Sequence, residues 1–445
     1  MYYKIMQLTI EKLANTGEGI GYYNERTVFV PYSFPGEIVD ISITKQPKKG
    51  VIWGKIEKII TPHPKRLSNN PPFPGCDWQN LDYSAQIQFK ENILKDTLQY
   101  FGKFNINQFP LKPTVKSPKI WQYRNKITLT FSKDSLGFYA PKTHQITPIL
   151  DIPLIPNHIQ EYLINLDIYF KKKKIPFYQP EEDKGELRQL VLKWNSSQEI
   201  LLGLITRDNK LSKKEDLVNE LPQINIAGSK LTGLIQSINK LPQENKLSLK
   251  NKLLWGNPYI IETINNIAYA HSLSSFFQTN LDVAKLLLDQ IDQWIKQDAS
   301  SVLFDLYGGI GFLSIALAKK LGQINIIENN AEAIEMALMN NNINSLNNVK
   351  LQQETVENFF MINKLIPQVI FIDPPRKGCA PQVIEGLLKL TPKQIVYTSC
   401  FPVTLARDLQ HLTMNNGYSI KEIVPFDMFP QTPHLETMAL LERIS

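Results

Sequence analysis

Apolar and polar positions follow three different rhythms along the chain. In the first stretch, MQLTIEKL, RTVFVPY, EIVDISIT and VIWGKIEKII are short alternating or β-branched runs, the pattern of half-buried strands. NTGEGIG and KQPKKG separate them as turn signals. Several short strands in so little chain predict a small OB-like β-barrel over residues 1–60. TPHPKRLSNNPPFPG, residues 61–75, is proline-rich and reads as a linker. DYSAQIQFKENILKDTLQYFG then places apolar residues at helical spacing and stops at Gly102, so a helix is expected over about 84–102, packing on the last domain. Up to residue 264, strands such as KITLTF, LGFYAP, RQLVLKW and EILLGLIT mix with a few helices. This reads as a central α+β domain over 61–264.

From about Ser274 helices and strands alternate. LDVAKLLLDQIDQWIKQ is a helix, SVLFDLY a strand, GGIGFLSIALAKKL a turn and helix, and INIIE a strand. The helix AEAIEMALMNNNI follows, then the strands QVIFID and IVYTSC, the latter leading into a helix from Val403. Such alternation predicts a Rossmann-like, doubly wound parallel sheet over 265–445, and an α/β class for the chain.

Composition narrows the setting. The chain has 43% hydrophobic and 20% charged residues, as an ordinary globular protein does, and no run reaches the ~18 apolar residues of a membrane span. MYYKIMQLTI lacks the apolar core of an export signal. Three cysteines, Cys76, Cys379 and Cys400, are too few for a disulfide framework. These features lead us to expect a cytoplasmic monomer with no membrane partner. A net charge of +7 permits nucleic-acid binding without requiring it. Lys45, Lys48, Lys49 and Lys55 read as barrel-loop lysines, either solvated or touching RNA backbone. The run Lys171–Lys174 reads as a solvated face.

Four segments carry candidate chemistry. In FDLYGGIG a strand reaches Asp305, and Gly308, Gly309 and Gly311 form the turn before a helix, which lets a ligand approach the backbone. Glu328 ends the next strand, where an acid can hold ribose hydroxyls or cap a helix. The G-x-G-x-x-G pattern of dinucleotide sites is not met, and the glycine spacing favours S-adenosylmethionine. In VIFIDPPRKG, Asp373 closes a strand before two prolines. In IVYTSCFPVTLARD, Cys400 stands at a strand end, with Arg407 as a cation able to lower its pKa. On position alone it is either a core filler or a nucleophile. In FDMFPQTPHLET, the polar tip 431–436 puts His434 and Glu436 on one face if extended. It is either a solvated loop or the carrier of a base.

Together these segments, with SFFQTN (Ser275–Asn280), resemble the S-adenosylmethionine-dependent RNA uracil-5 methyltransferases. The barrel resembles the TRAM domain that many bacterial 23S ribosomal RNA members carry. The resemblance implies Cys400 as nucleophile, Glu436 as base, and Gln278, Tyr307, Glu328 and Asp373 as cofactor contacts. It implies 5-methyluridine formation in RNA, 23S rRNA before tRNA. An RNA-binding or folding factor with a non-catalytic methyltransferase fold is the further alternative. Two positions depart from the family. Many TRAM-bearing members hold a [4Fe–4S] cluster on four cysteines, whereas the corresponding stretch keeps only Cys76, so no metal or cluster is expected. Phe401 follows Cys400 where many members carry Asn.

Overall fold

The computed structural model describes residues 5–132, 136–139, 146–148, 151–179, 182–224, 228–240, 251–296, 298–363, 365–414 and 417–444. The last two residues of the expected strand LGFYAP, Ala140 and Pro141, lie outside them. The chain forms two compact units, residues 1–120 with 368–445, and residues 121–367.

The first unit opens with six strands: β1 (Met6–Thr9), β2 (Lys12–Leu13), β3 (Gly19–Tyr23), β4 (Arg26–Val30), β5 (Ile38–Lys45) and β6 (Ile52–Thr61). They form one sheet in the order β1-β5-β6-β4-β3-β2. Alternation buries Met6, Leu8, Val28, Val30, Val39, Ile41 and Ile52 in a single cluster. Strand β3 begins inside NTGEGIG, which the glycines made look like turn throughout. Those glycines answer to packing instead. A Cβ on Gly19 would collide with Ser33, and one on Gly21 with Leu8 and the Thr9 carbonyl. The actual β3–β4 turn is Asn24–Glu25, both left-handed at φ 46° and 63°, as tight hairpins require. Lys55 stands exposed on β6 rather than in a loop.

The segment after β6 is no free linker. Arg66 is buried against Glu37 (Nε–Oε1 2.5 Å, Nη2–Oε2 2.9 Å), donates to the Tyr32 carbonyl, and lies 4.7 Å from the centre of the Phe34 ring. Helix α1 (Tyr83–Tyr100) starts at Asp82, whose side chain accepts from Ser84 N. Phe34 of the barrel, Trp78, Leu81, Ala85 and Ile93 form one buried cluster, with Leu13 and Phe89 packed on it. Proline content sets an extended backbone, but composition does not reveal which side chains hold that backbone down.

The rest of this unit is a four-strand arrangement. Val369–Ile372 pairs in parallel with Gln394–Ser399. Glu436–Arg443 pairs antiparallel with Gln394–Ser399, placing Thr437 opposite Ser399, and Tyr418–Phe426 lies outside it. Helices Pro381–Leu390 and Pro402–Thr413 both start with proline in the first turn.

In the second unit, a seven-stranded sheet runs from Asn251–Gly256 through Lys230–Ile238, Glu199–Thr206, Leu187–Trp194, Lys126–Phe131 and Leu136–Tyr139 to Ile146–Pro148. The unit also holds three parallel strands, Val349–Gln353, Gln323–Glu328 and Val302–Leu306 in spatial order. Helices Leu281–Trp294 and Ala331–Ile343 belong to this part. The helix after the glycine turn is only Phe312–Ile315, shorter than GGIGFLSIALAKKL predicts. Within Lys171–Lys174, Lys171 pairs with Asp167, and Lys173 with Asp216 and Glu220. Among the described residues no helix is long and apolar enough to cross a membrane.

Candidate active site

Strand Gln394–Ser399 is buried along its apolar run, and Cys400 leaves it half-buried, two residues before Pro402 opens the next helix. The turn is held without an asparagine at position 401. Ser399 Oγ accepts from Phe401 N (3.1 Å) and donates to Phe401 O (3.2 Å). Thr404 Oγ1 lies within hydrogen-bond reach of the carbonyls of Phe401 (3.1 Å) and Arg376 (3.2 Å). This ties the turn to the DPPRKG loop.

Three of the expected site residues share one electrostatic neighbourhood. Burial, then the carboxyls of Glu436 and Asp373, push the Cys400 thiol up to about 11, and Arg376 opposes the shift. Glu436 opens its strand buried, and burial followed by Asp373 holds its carboxyl far above the usual range. A carboxyl raised in this way is a stronger base than an exposed one. Arg407 does not serve the thiol as its sequence position suggested. It pairs with Asp408 (2.7 Å) and reaches the carbonyls of Lys377 and Cys379. The cation that opposes the thiol's upward shift is Arg376, whose guanidinium stands 5.5 Å from the centre of the Phe401 ring. Its place directly after Asp-Pro-Pro was the only sequence signal.

The tip before Glu436 also differs from the sequence reading. Gln431, Thr432 and Glu436 are buried, while His434 is exposed, so His434 and Glu436 do not share a face. Gln431 is left-handed at φ 69°, which breaks the extended geometry. Cys379 is buried within 3.5 Å of the Tyr397 hydroxyl, which donates to Asp408 (2.6 Å). Burial pushes its thiol up to about 12, so it reads as a structural thiol. With Cys76 fully buried, the chain's three cysteines do not fit a four-thiolate cluster.

In the second unit, Tyr307, Gly309 and Gly311 all take positive φ (60°, 55°, 80°) at the end of strand Val302–Leu306. A bulky aromatic there is a strained backbone, as functional turns often hold. Glu328 Oε2 accepts from Gly309 N (3.0 Å), and its Oε1 from Asn330 N (2.7 Å) at the start of helix Ala331–Ile343. A Cβ on Gly309 would meet nothing within 4 Å, so the turn faces open space. Asp305 is buried, and its Oδ2 has no hydrogen-bond partner among the described residues. Burial pushes its carboxyl up to about 7, against the Ser314 hydroxyl and with a contribution from Glu328. The sequence reading gave Asp305 no role, although a strand-end acid before a glycine turn was the available signal. Gln278 is buried, its carbonyl held by Asn125 Nδ2 (2.8 Å). An orphaned carboxylate oxygen, an open glycine turn and an acid on the next strand fit a nucleoside that carries a cation.

This α/β fold, with its strand-end acids and glycine turn, is that of a nucleoside-cofactor methyltransferase. The family model described as tRNA (Uracil-5-)-methyltransferase matches residues 229–444, and the TRAM domain model residues 3–49. Relatives described only as RNA methyltransferases share 31% identity in Halalkalibacterium halodurans, covering 98% of this chain and 97% of the relative. In Clostridium tetani the figures are 32%, 98% and 95%. The solved Pyrococcus abyssi tRNA (uracil-54, C5)-methyltransferase, in complex with S-adenosyl-L-homocysteine, is 28% identical with a TM-score of 0.78, covering 98% of this chain and all of that one. The chain belongs to the S-adenosylmethionine-dependent RNA uracil-5 methyltransferases that carry a TRAM domain.

Proposed function

We propose that this enzyme forms 5-methyluridine in 23S ribosomal RNA, with Cys400 as nucleophile and Glu436 as base. The grouping of thiol, Asp373, Arg376 and buried Glu436 carries the reading. Uracil C5 is a weak carbon nucleophile. Cys400 as thiolate adds to C6, and the electron pair moves onto the C4–C5 enolate. S-adenosylmethionine, when bound, supplies the electrophilic methyl group. After methylation Glu436 takes the C5 proton, the C5–C6 double bond re-forms, and the thiolate leaves. Arg376 favours the thiolate against its carboxyl neighbours. Gln278, Tyr307, Glu328 and Asp373 are proposed to hold the cofactor, joined by Asp305, whose free oxygen suits an ammonium group.

Residues 1–60 are assigned to RNA binding, 61–264 to the central domain and 265–445 to catalysis. The enzyme is proposed to act as a cytoplasmic monomer. A target uracil in folded RNA is reached by splaying the base out. The ribosomal assignment rests on the barrel, which matches the TRAM domain model and carries exposed lysines suited to RNA backbone. A tRNA target is the second reading, favoured by the likeness to the Pyrococcus abyssi tRNA enzyme.

Cys400→Ala is expected to abolish 5-methyluridine formation while cofactor affinity stays within about twofold, since the thiol meets the base. Full activity in that variant removes Cys400 from the mechanism. Glu436→Gln is expected to accumulate a covalent protein–RNA adduct on denaturing gels. Mapping of modified nucleosides in cells lacking the protein decides the target. Loss of 5-methyluridine from tRNA alone overturns the ribosomal assignment.

A further inference from the structure

Several residues far earlier in the chain anchor the loop that delivers Glu436. Asp427 Oδ1 accepts from Lys90 Nζ (2.5 Å), and both side chains are fully buried. Lys90 Nζ also reaches the Phe429 carbonyl (3.0 Å), and Asp427 N donates to Val115 O (2.9 Å). Gln86 grips Gln431 twice: its Nε2 donates to Gln431 Oε1 (2.9 Å), and its Oε1 accepts from Gln431 N (2.9 Å). Trp78 N donates to Gln431 O (2.9 Å), while the Trp78 indole donates to the Gly17 carbonyl (3.2 Å) in the barrel's β2–β3 turn. Gly17 is left-handed at φ 94°, and a Cβ there would collide with Pro433.

The barrel turn, Trp78 and α1 therefore form a clamp on residues 427–433, and Glu436 follows three residues later at the head of its strand. A left-handed Gln431 (φ 69°) must be held by its surroundings, and its amide pair with Gln86 is buried on both sides. Glu436 is also held by its strand pairing with Phe426, so loosening the loop would shift it rather than release it. Displacement of a catalytic group by about 1 Å costs up to about a hundredfold in rate.

We propose that Gly17, Trp78 and Gln86 are positioning residues for Glu436, so that the barrel takes part in the elimination step as well as in binding RNA. This rests on Glu436 acting as the base. None of these contacts involves Cys400 or a residue assigned to the cofactor, so failure of the clamp should be selective. Thiol addition and cofactor binding would persist, while proton removal from C5 would slow.

The test uses the full chain with uridine-containing RNA and S-adenosylmethionine. Gln86→Leu removes both amide contacts, Gln86→Glu keeps the acceptor for Gln431 N, and Gly17→Ala pushes on Pro433. The readouts are adduct lifetime on denaturing gels, kcat, and Kd for the cofactor and for RNA. Expected are an adduct lasting about ten times longer and kcat about tenfold lower in Gln86→Leu and Gly17→Ala, both Kd values within about twofold, and partial recovery in Gln86→Glu. Unchanged adduct lifetime in both variants overturns the inference, as does a kcat loss matched by an equal loss of affinity. Glu436→Gln run alongside separates the two ideas. If it accumulates no adduct, the base assignment itself is wrong, and the clamp falls with it.

Discussion

At Cys400 the local charges oppose the chemistry that the residue is proposed to perform. Burial and two carboxyls favour the neutral thiol, held to about 11, and Arg376 is the counterweight. A raised thiol pKa means that the reactive thiolate is scarce at neutral pH and grows as pH rises. Alkylation of Cys400 by iodoacetamide in the free enzyme is therefore expected to climb about tenfold per pH unit through the neutral range. Replacing Arg376 with Met removes the one lowering charge, so the whole profile should move to higher pH. A midpoint near the ordinary thiol value, or a profile unmoved in Arg376→Met, would count against this balance. Cys400 and Asp373 were legible as candidates because each ends an apolar strand. Glu436 was legible as a possible base on a polar tip, but its burial was not, because the loop before it is held by partners more than three hundred residues away, such as Gln86 and Lys90. Arg407 misled because adjacency in sequence says nothing about which carboxylate a guanidinium meets first, and Asp408 sits next to it.

At the scale of elements, the Lys90–Asp427 pair joins α1 to the loop before the last strand. Burial lowers the Lys90 pKa and Asp427 works against that. Removing one partner leaves an uncompensated buried charge, which typically costs about 3–5 kcal/mol. Lys90→Met is thus expected to lower unfolding stability by that amount in urea titration, and the double variant Lys90→Met/Asp427→Leu to recover most of it. Equal losses in single and double variants would show that the pair is not the source. Elements with an apolar run, such as Gln394–Ser399 or Leu281–Trp294, were readable from pattern alone. Strand Val349–Gln353 was not, since VKLQQ carries only half-exposed and exposed positions. Helix Pro381–Leu390 was hidden behind the proline that starts it.

For the molecule as a whole, the barrel is built into the first unit. Trp78, Leu81, Ala85 and Ile93 share a buried cluster with Phe34. Deleting the barrel would uncover that cluster, so truncation confounds RNA affinity with stability. Point changes avoid this. Lys45, Lys48, Lys49 and Lys55 are all exposed, and replacing them with Ala should weaken RNA binding. Each phosphate left without its lysine should flatten the log–log salt slope by about 0.7–0.9. An unchanged slope would place the RNA elsewhere. The barrel was legible from alternation, but its attachment was not, because prolines between Thr61 and Gly75 hide a strap fixed by Arg66 and Glu37.

The pairing of Ser399 with Thr437 has a bearing on how this family can diverge. Cys400 lies one step beyond Ser399 and Glu436 one step before Thr437. Side chains alternate faces along a strand, so a shift of one residue turns the carboxyl to the opposite side. A single inserted codon within residues 435–437 would keep the other motifs readable in the gene while parting the thiol from its acid. These two strands are buried over most of their length, so length changes there should be purged. A descendant gene with that one extra codon would encode a protein that still looks like an enzyme and no longer turns over.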